Sequence, residues 1–169
     1  MVKRIFMSLL AVLVVIQFFR PPMNSTKGQP EHSSTDLTTK YRLPMDVQMI
    51  LETSCYDCHS NNTYYPWYWN IQPVAWWLNQ HIKQGKKALN FNEFAAYPPR
   101  KQFHRMEDIE EQVKEDEMPL WSYTLVHTDA RLSPGDKKIL IDWSKAIRDT
   151  MKLIYPPDSL RKKAPNPAH

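Results

Sequence analysis

An all-α fold is what this sequence predicts, and three observations carry the prediction. Apolar residues recur at helical spacing in several separate stretches. Helix-start signals stand ahead of those stretches, at Pro44, Pro73 and Ser133-Pro134. Glycine is scarce, 3 in 169 residues, while the chain carries 6 Trp and 8 Tyr, a composition unlike that of a turn-rich β-sandwich. The length fits one domain. With the termini set aside, about 110 to 120 residues remain to build a core, a sufficient number for a small domain. The formal charge of +4 is mild and includes a basic C-terminal segment, so nucleic-acid binding is not indicated.

Residues 1–20 read as an export element. Lys3 and Arg4 precede an uncharged run from Ile5 to Phe19 that only Ser8 and Gln17 interrupt. A signal peptide and a short membrane anchor both fit such a run. Fifteen helical residues cover only about 22 Å of a hydrocarbon core of about 30 Å, a shortfall that snorkelling Lys3, Arg4 and Arg20 would reduce. Phe18-Phe19-Arg20-Pro21-Pro22 offers no small-residue cleavage site. The expectation is therefore an uncleaved anchor with its charged start in the cytoplasm. Residues 21–40, rich in Ser, Thr, Asn, Gln and Pro, read as a flexible linker in which His32 is solvated.

The folded part is expected over residues 41–155. Val47, Ile50, Leu51 and Ser54 share one helical face after Pro44. A turn cluster, Ser60-Asn61-Asn62-Thr63, leads into Tyr64-Tyr65-Pro66-Trp67-Tyr68-Trp69, which lacks helical periodicity. Those rings either lie against a flat apolar group or form core. From Pro73, the residues Val74, Trp77, Leu78, His81 and Ile82 form a stripe, and Gly85-Lys86-Lys87 suits the helix end. Residues 89–105 look irregular. Met106 to Glu117 reads as an acidic helix with Met106, Ile109 and Val113 inside, its carboxylates forming a solvated face or a docking patch for a basic redox partner. Ser133, Pro134 and Asp136 open a last helix with Ile139, Leu140, Trp143, Ile147 and Met151 on its inner side. Residues 156–169 read as a disordered tail.

The chemistry concentrates in Cys55-Tyr56-Asp57-Cys58-His59, which holds both cysteines of the chain. Two thiols one helical turn apart, followed by histidine, form the attachment pattern of c-type haem. Each thiol can join one porphyrin vinyl, and the histidine then serves as proximal iron ligand. A structural zinc site would need a further Cys pair or a His-x₃₋₅-His pair, and neither is present. A dithiol redox site belongs between a strand and a helix, a pattern missing here. Export supports haem, since c-type haem is attached outside the cytoplasmic membrane. Candidates for the sixth iron position are His81, His104, His127 and the methionines. His81 reads better as a hydrogen-bonded core histidine. Met118 stands out because it follows the acidic helix and precedes Pro119, in a segment that cannot be helical.

Several stretches together resemble a known family. Cys55-Tyr56-Asp57-Cys58-His59-Ser60-Asn61, Tyr65-Pro66-Trp67-Tyr68, Glu117-Met118-Pro119, Leu132-Ser133-Pro134 with Ile141-Asp142-Trp143, and Ile16-Gln17-Phe18-Phe19-Arg20-Pro21 are similar to the haem-binding domain family of small, membrane-anchored bacterial c-type cytochromes. The resemblance implies a cytochrome c-like helical domain around one covalent haem c, with Cys55 and Cys58 as thioethers and His59 and Met118 as axial ligands. It also implies that a proline carbonyl, of Pro66 or Pro73, accepts the second N–H of His59. The expected role is single-electron transfer in the periplasm, between redox partner proteins, by a domain held at the cytoplasmic membrane. No separate catalytic constellation is visible, so an enzyme is not expected. The alternatives are a haem peroxidase or small-gas sensor with an exchangeable sixth ligand, using His104 or His127, and a haem-free module with Cys55 and Cys58 as a disulfide.

Overall fold

The computed structural model describes residues 1–25 and 33–162, and every regular element among them is helical. The chain falls into two compact units, one formed by Met1–Gly28 and Asp57–Asn90, the other by Gln29–Tyr56 and Phe91–His169.

In the first unit, α1 (Val2–Ile16) buries none of its residues. It is fifteen residues long, and among the described residues no helix is long and apolar enough to cross a membrane. The membrane-spanning expectation for residues 1–20 thus finds no support in the helix itself. The segment after α1 is tied down by hydrogen bonds. Gln17 Nε2 donates to the Gln72 carbonyl (3.3 Å) and its Oε1 accepts the Gln72 N–H (2.9 Å). The Phe19 carbonyl accepts from Gln72 Nε2 (2.8 Å) and from the Trp76 indole N–H (2.9 Å). Asn24 donates its side-chain amide to the Ser60 carbonyl (3.0 Å) and Thr63 Oγ1 (2.9 Å), and its Oδ1 accepts from Lys86 (2.6 Å).

The core of this unit is Trp69, Ala75, Leu78 and Ile82, with Cys58, Tyr65 and Tyr68 packed against it. Burying side chains of this size contributes about 1.5 to 3 kcal/mol each for the larger ones. The aromatic run divides: Trp69 is core and packs at a tilt against Tyr65 (centroids 4.2 Å), whereas Tyr64 and Trp67 are exposed. Helix α4 (Val74–Ala88) follows Pro73 as expected, but its inner face is Ala75, Leu78 and Ile82, with Trp77 outward and His81 half-buried. Nor does Gly85 end this helix; it lies within it, on the same face at i+10 from Ala75.

In the second unit, α2 (Met45–Ser54) buries Val47 and Leu51 and stops at Cys55. The four-residue α3 (Tyr56–His59) then begins, so the helix does not run unbroken through the cysteine motif. Residues 33–40, assigned by composition to the linker, are packed instead. Leu37 is buried, Asp36 caps a 3₁₀ turn (Leu37–Thr39) through the Thr38 N–H and accepts from Asn92 (2.8 Å), and the Thr35 carbonyl accepts the Ala95 N–H (2.8 Å). Residues 26–32 of the expected linker, His32 among them, lie outside the described residues.

Helix α5 (Pro99–Lys114) starts seven residues before the expected Met106, with Pro99 in its first turn, where a missing N–H costs nothing. Gln102, fully buried, is satisfied by Tyr41 (2.7 Å) and Lys40 (3.0 Å) at its oxygen and by the Tyr97 carbonyl (2.6 Å) at its nitrogen. After the short α6 (Trp121–Thr124), α7 (Pro134–Ile154) opens with the Ser133–Asp136 capping box and buries Leu140, Trp143, Ile147 and Met151. The acidic face of α5 is not simply solvated. Arg148 of α7 pairs with Glu107 (2.8 Å) and Glu110 (2.9 Å) while lying 4.7 Å from the Phe103 ring. The hydrogen bond from His104, followed by the Arg148 charge, holds the Glu107 carboxyl below the usual range. The expected tail over residues 156–169 is also corrected: a further short helix spans Pro157–Leu160, with Leu160 buried, and residues 163–169 lie outside the described residues.

Candidate functional site

His59 is positioned by backbone. Its Nδ1 lies 2.9 Å from the Leu89 carbonyl, which follows α4. Since a carbonyl only accepts, Nδ1 carries the proton, and this tautomer keeps the lone pair on Nε2, where a metal takes it. Burial lowers the His59 pKa, and the backbone bonds to Leu89 and Gly85 act the other way. A neutral Nδ1–H imidazole whose second nitrogen is oriented by a carbonyl is the form in which histidine ligates iron. The acceptor is thus Leu89, whereas the Pro66 and Pro73 carbonyls take the N–H groups of Trp69 (3.0 Å) and Trp77 (3.2 Å).

The loop after the motif folds back onto it. The Asp57 carboxylate accepts the Tyr64 N–H (2.9 Å), its carbonyl accepts from Thr63 Oγ1 (2.7 Å), and Asn90 Nδ2 donates to Asn61 Oδ1 (2.8 Å). Both cysteines are half-buried thiols. Burial, and then the Asp57 charge, push the Cys58 thiol up to about 11. Such a thiol is protonated at neutral pH. Among the described residues no group of three or more His, Cys, Asp and Glu is arranged to hold a metal ion, so the zinc reading gains nothing.

Gly85 sets how close α4 comes to the motif. A Cβ there would lie 2.7 Å from the Cys58 carbonyl oxygen and 3.1 Å from Cys58 Cβ. Alanine normally gains about 1 kcal/mol over glycine inside a helix, whereas forcing a methyl into packed surroundings costs about 1 to 3 kcal/mol. The obstacle here is backbone, so the clash should win. Gly85→Ala should lower the denaturant midpoint by an amount worth about 1 to 2 kcal/mol and reduce the yield of haem-loaded chain, while the exposed Gln84→Ala leaves both unchanged. A raised midpoint for Gly85→Ala would show that Cys58 yields freely.

Met118 stands in the second unit with Cys55. Helix α5 ends with Asp116 in the left-handed region (φ 62°), and the Glu117 N–H returns to the Gln112 carbonyl (2.9 Å), the 6→1 bond of a Schellman stop. The Met118 N–H reaches the same carbonyl (3.2 Å), and Asp116 pairs with Lys137 of α7. The half-buried Met118 is thus held in place by backbone on a turn between two helices. Cys58 and His59 belong to the first unit. The other described histidines have local roles: His81 Nδ1 meets the Trp77 carbonyl (2.9 Å), His104 Nδ1 meets Glu107 (2.9 Å), and His127 stacks on Tyr123 (centroids 4.4 Å). Sequence reasoning missed Leu89 and Gly85. A carbonyl leaves no trace in side-chain pattern, but Gly85, one of only three glycines, was a visible signal.

An all-helical chain with CxxCH and a carbonyl-oriented neutral histidine has the features of a haem-binding protein. The model of the haem-binding domain family matches residues 11–146, and the chain belongs to that family. No curated protein and no solved structure matches it.

Proposed function

We propose that this chain is a monohaem c-type cytochrome that carries single electrons in the bacterial periplasm. The observation that carries the reading is the His59–Leu89 bond beside the paired thiols. Cys55 and Cys58 would hold the porphyrin as thioethers, and His59 Nε2 and Met118 Sδ would be the axial ligands. Bound haem supplies a one-electron iron couple. The chain's part is to fix the His59 tautomer, exclude water with the Trp69, Leu78 and Ile82 core, and offer a soft thioether, which favours the ferrous state. With His59 and Met118 both holding the iron, substrate would find no open position, which supports a carrier serving partner redox proteins rather than an enzyme.

Membrane attachment belongs to the same proposal. Helix α1 leaves Ile5, Phe6, Leu9, Leu13 and Val14 exposed, surface that favours a hydrocarbon phase. The domain would be held at the outer face of the cytoplasmic membrane, with Lys3 and Arg4 on the cytoplasmic side. Optical spectra of the oxidised and reduced protein test the haem assignment. The expected result is a low-spin c-type spectrum in both states, with no carbon monoxide binding. Rapid carbon monoxide binding would favour a peroxidase or gas sensor, and a colourless protein matured with the haem-attachment machinery would end the reading.

A further inference from the structure

We infer that the haem-motif unit lies flat on the bilayer, with the N-terminal half of α4 and the residues before it seated in the lipid headgroup region. The inference rests on the membrane reading of α1. It starts from the two apolar faces of α4. One, Ala75, Leu78 and Ile82, packs into the core. The other points outward: Trp76 and Trp77, with Ile71 just ahead of the helix, are each between 41% and 47% exposed. A clustered apolar surface that the fold does not use is a mark of an interaction site.

The neighbouring chain identifies the occupant. The Trp76 indole donates to the Phe19 carbonyl, three residues beyond α1, and Gln72 is bonded to Gln17 and Phe19. The outward patch is therefore tied by hydrogen bonds to the root of the apolar helix, and Phe18 and Phe19, both exposed, continue it. Where α1 enters lipid, this patch meets the headgroups. Trp is the side chain suited to that zone, because its ring is apolar and its N–H polar. Charge agrees with geometry. Helix α4 contains Lys83, Lys86 and Lys87 and no Asp or Glu. Lys86 is held by Asn24, whereas Lys83 and Lys87, at i+7 and i+11 from Trp76, are exposed on the same stripe. Such an arrangement suits an anionic surface. It also relieves the shortness of α1, because Phe18, Phe19 and the Trp pair extend the lipid contact beyond fifteen residues.

The test uses the full-length, haem-loaded chain in floated vesicles of phosphatidylcholine with or without phosphatidylglycerol. A trace phospholipid carrying a diazirine near the glycerol end of its acyl chain is photolysed, and labelled residues are mapped by mass spectrometry. The chain should float, and label should fall on α1 and on Ile71–Trp77, with the buried Leu78 and Ile82 of the same unit as the unlabelled reference. Ile71→Ser with Trp77→Ser, which spares the Trp76–Phe19 bond, should lose the second label while keeping flotation and the label on α1. Lys83→Gln with Lys87→Gln should weaken it only in vesicles containing phosphatidylglycerol. Flotation with α1 labelled but Ile71–Trp77 no more labelled than Leu78 and Ile82 would overturn the inference and leave the anchor standing. A chain that does not float would overturn the anchor, and the inference with it.

Discussion

Replacing Cys55 and Cys58 together with Ala should abolish haem colour at the protein band after denaturing electrophoresis. The expected loss is complete, because each thioether forms by adding one thiol S–H across one vinyl C=C, and no other cysteine exists in the chain. His59 survives in this variant with its Leu89 bond, so haem could still associate in the folded protein. Denaturation separates the two situations: a coordinate bond is lost when the site unfolds, and a thioether is not. Each single variant should keep colour through the remaining bond. Colour that persists in the double variant would mean attachment elsewhere, and the motif argument would fail.

How much of this was legible in the residues depends on the range of the interactions. The Ser133–Asp136 cap and the Leu140, Trp143, Ile147, Met151 stripe are local, and both read directly from sequence. The face of α4 did not. Val74, Trp77 and His81 fit the helical period as well as Ala75 does, and hydrophobicity prefers Trp77 to Ala75. What turns the helix is Gly85, which must face the Cys58 backbone; Ala75, Leu78, Ile82 and Gly85 then share the inner side. The tie from His59 to Leu89 crosses thirty residues, and Arg148 reaches back to Glu107 and Glu110 over about forty. Neither has a periodicity to betray it. The linker was overextended for a related reason: Ser33, Thr35 and Asp36 look solvated by composition, but their short polar side chains satisfy backbone and Asn92.

The Cys-x-x-Cys-His pattern is a local signal, because its five residues lie within little more than one helical turn. Met118 is a different kind of inference. Its type is uninformative, since methionine more often fills core. Its place is informative, and the Schellman stop at Asp116 and the Asp116–Lys137 pair account for that place in local terms.

Met118→Ala should therefore keep the haem and change its state. Cys55, Cys58 and His59 are untouched, so colour in the denaturing gel should equal that of the parent chain. The stop that shapes the turn depends on the Gln112 carbonyl and backbone N–H groups, none of which the substitution alters. Loss of the thioether would leave the sixth position to water, so the oxidised spectrum should move to high spin and the reduced protein should bind carbon monoxide. Met118→His should remain low-spin with a lower potential, because imidazole is the harder donor and favours the ferric state. That pair of variants distinguishes a ligand from a packing residue. Filling core would make Ala destabilising by about 2 to 5 kcal/mol without a change of spin state. A low-spin Met118→Ala protein, with the high-spin change appearing instead on replacement of His81 or His127, would move the sixth ligand to that histidine and return Met118 to packing.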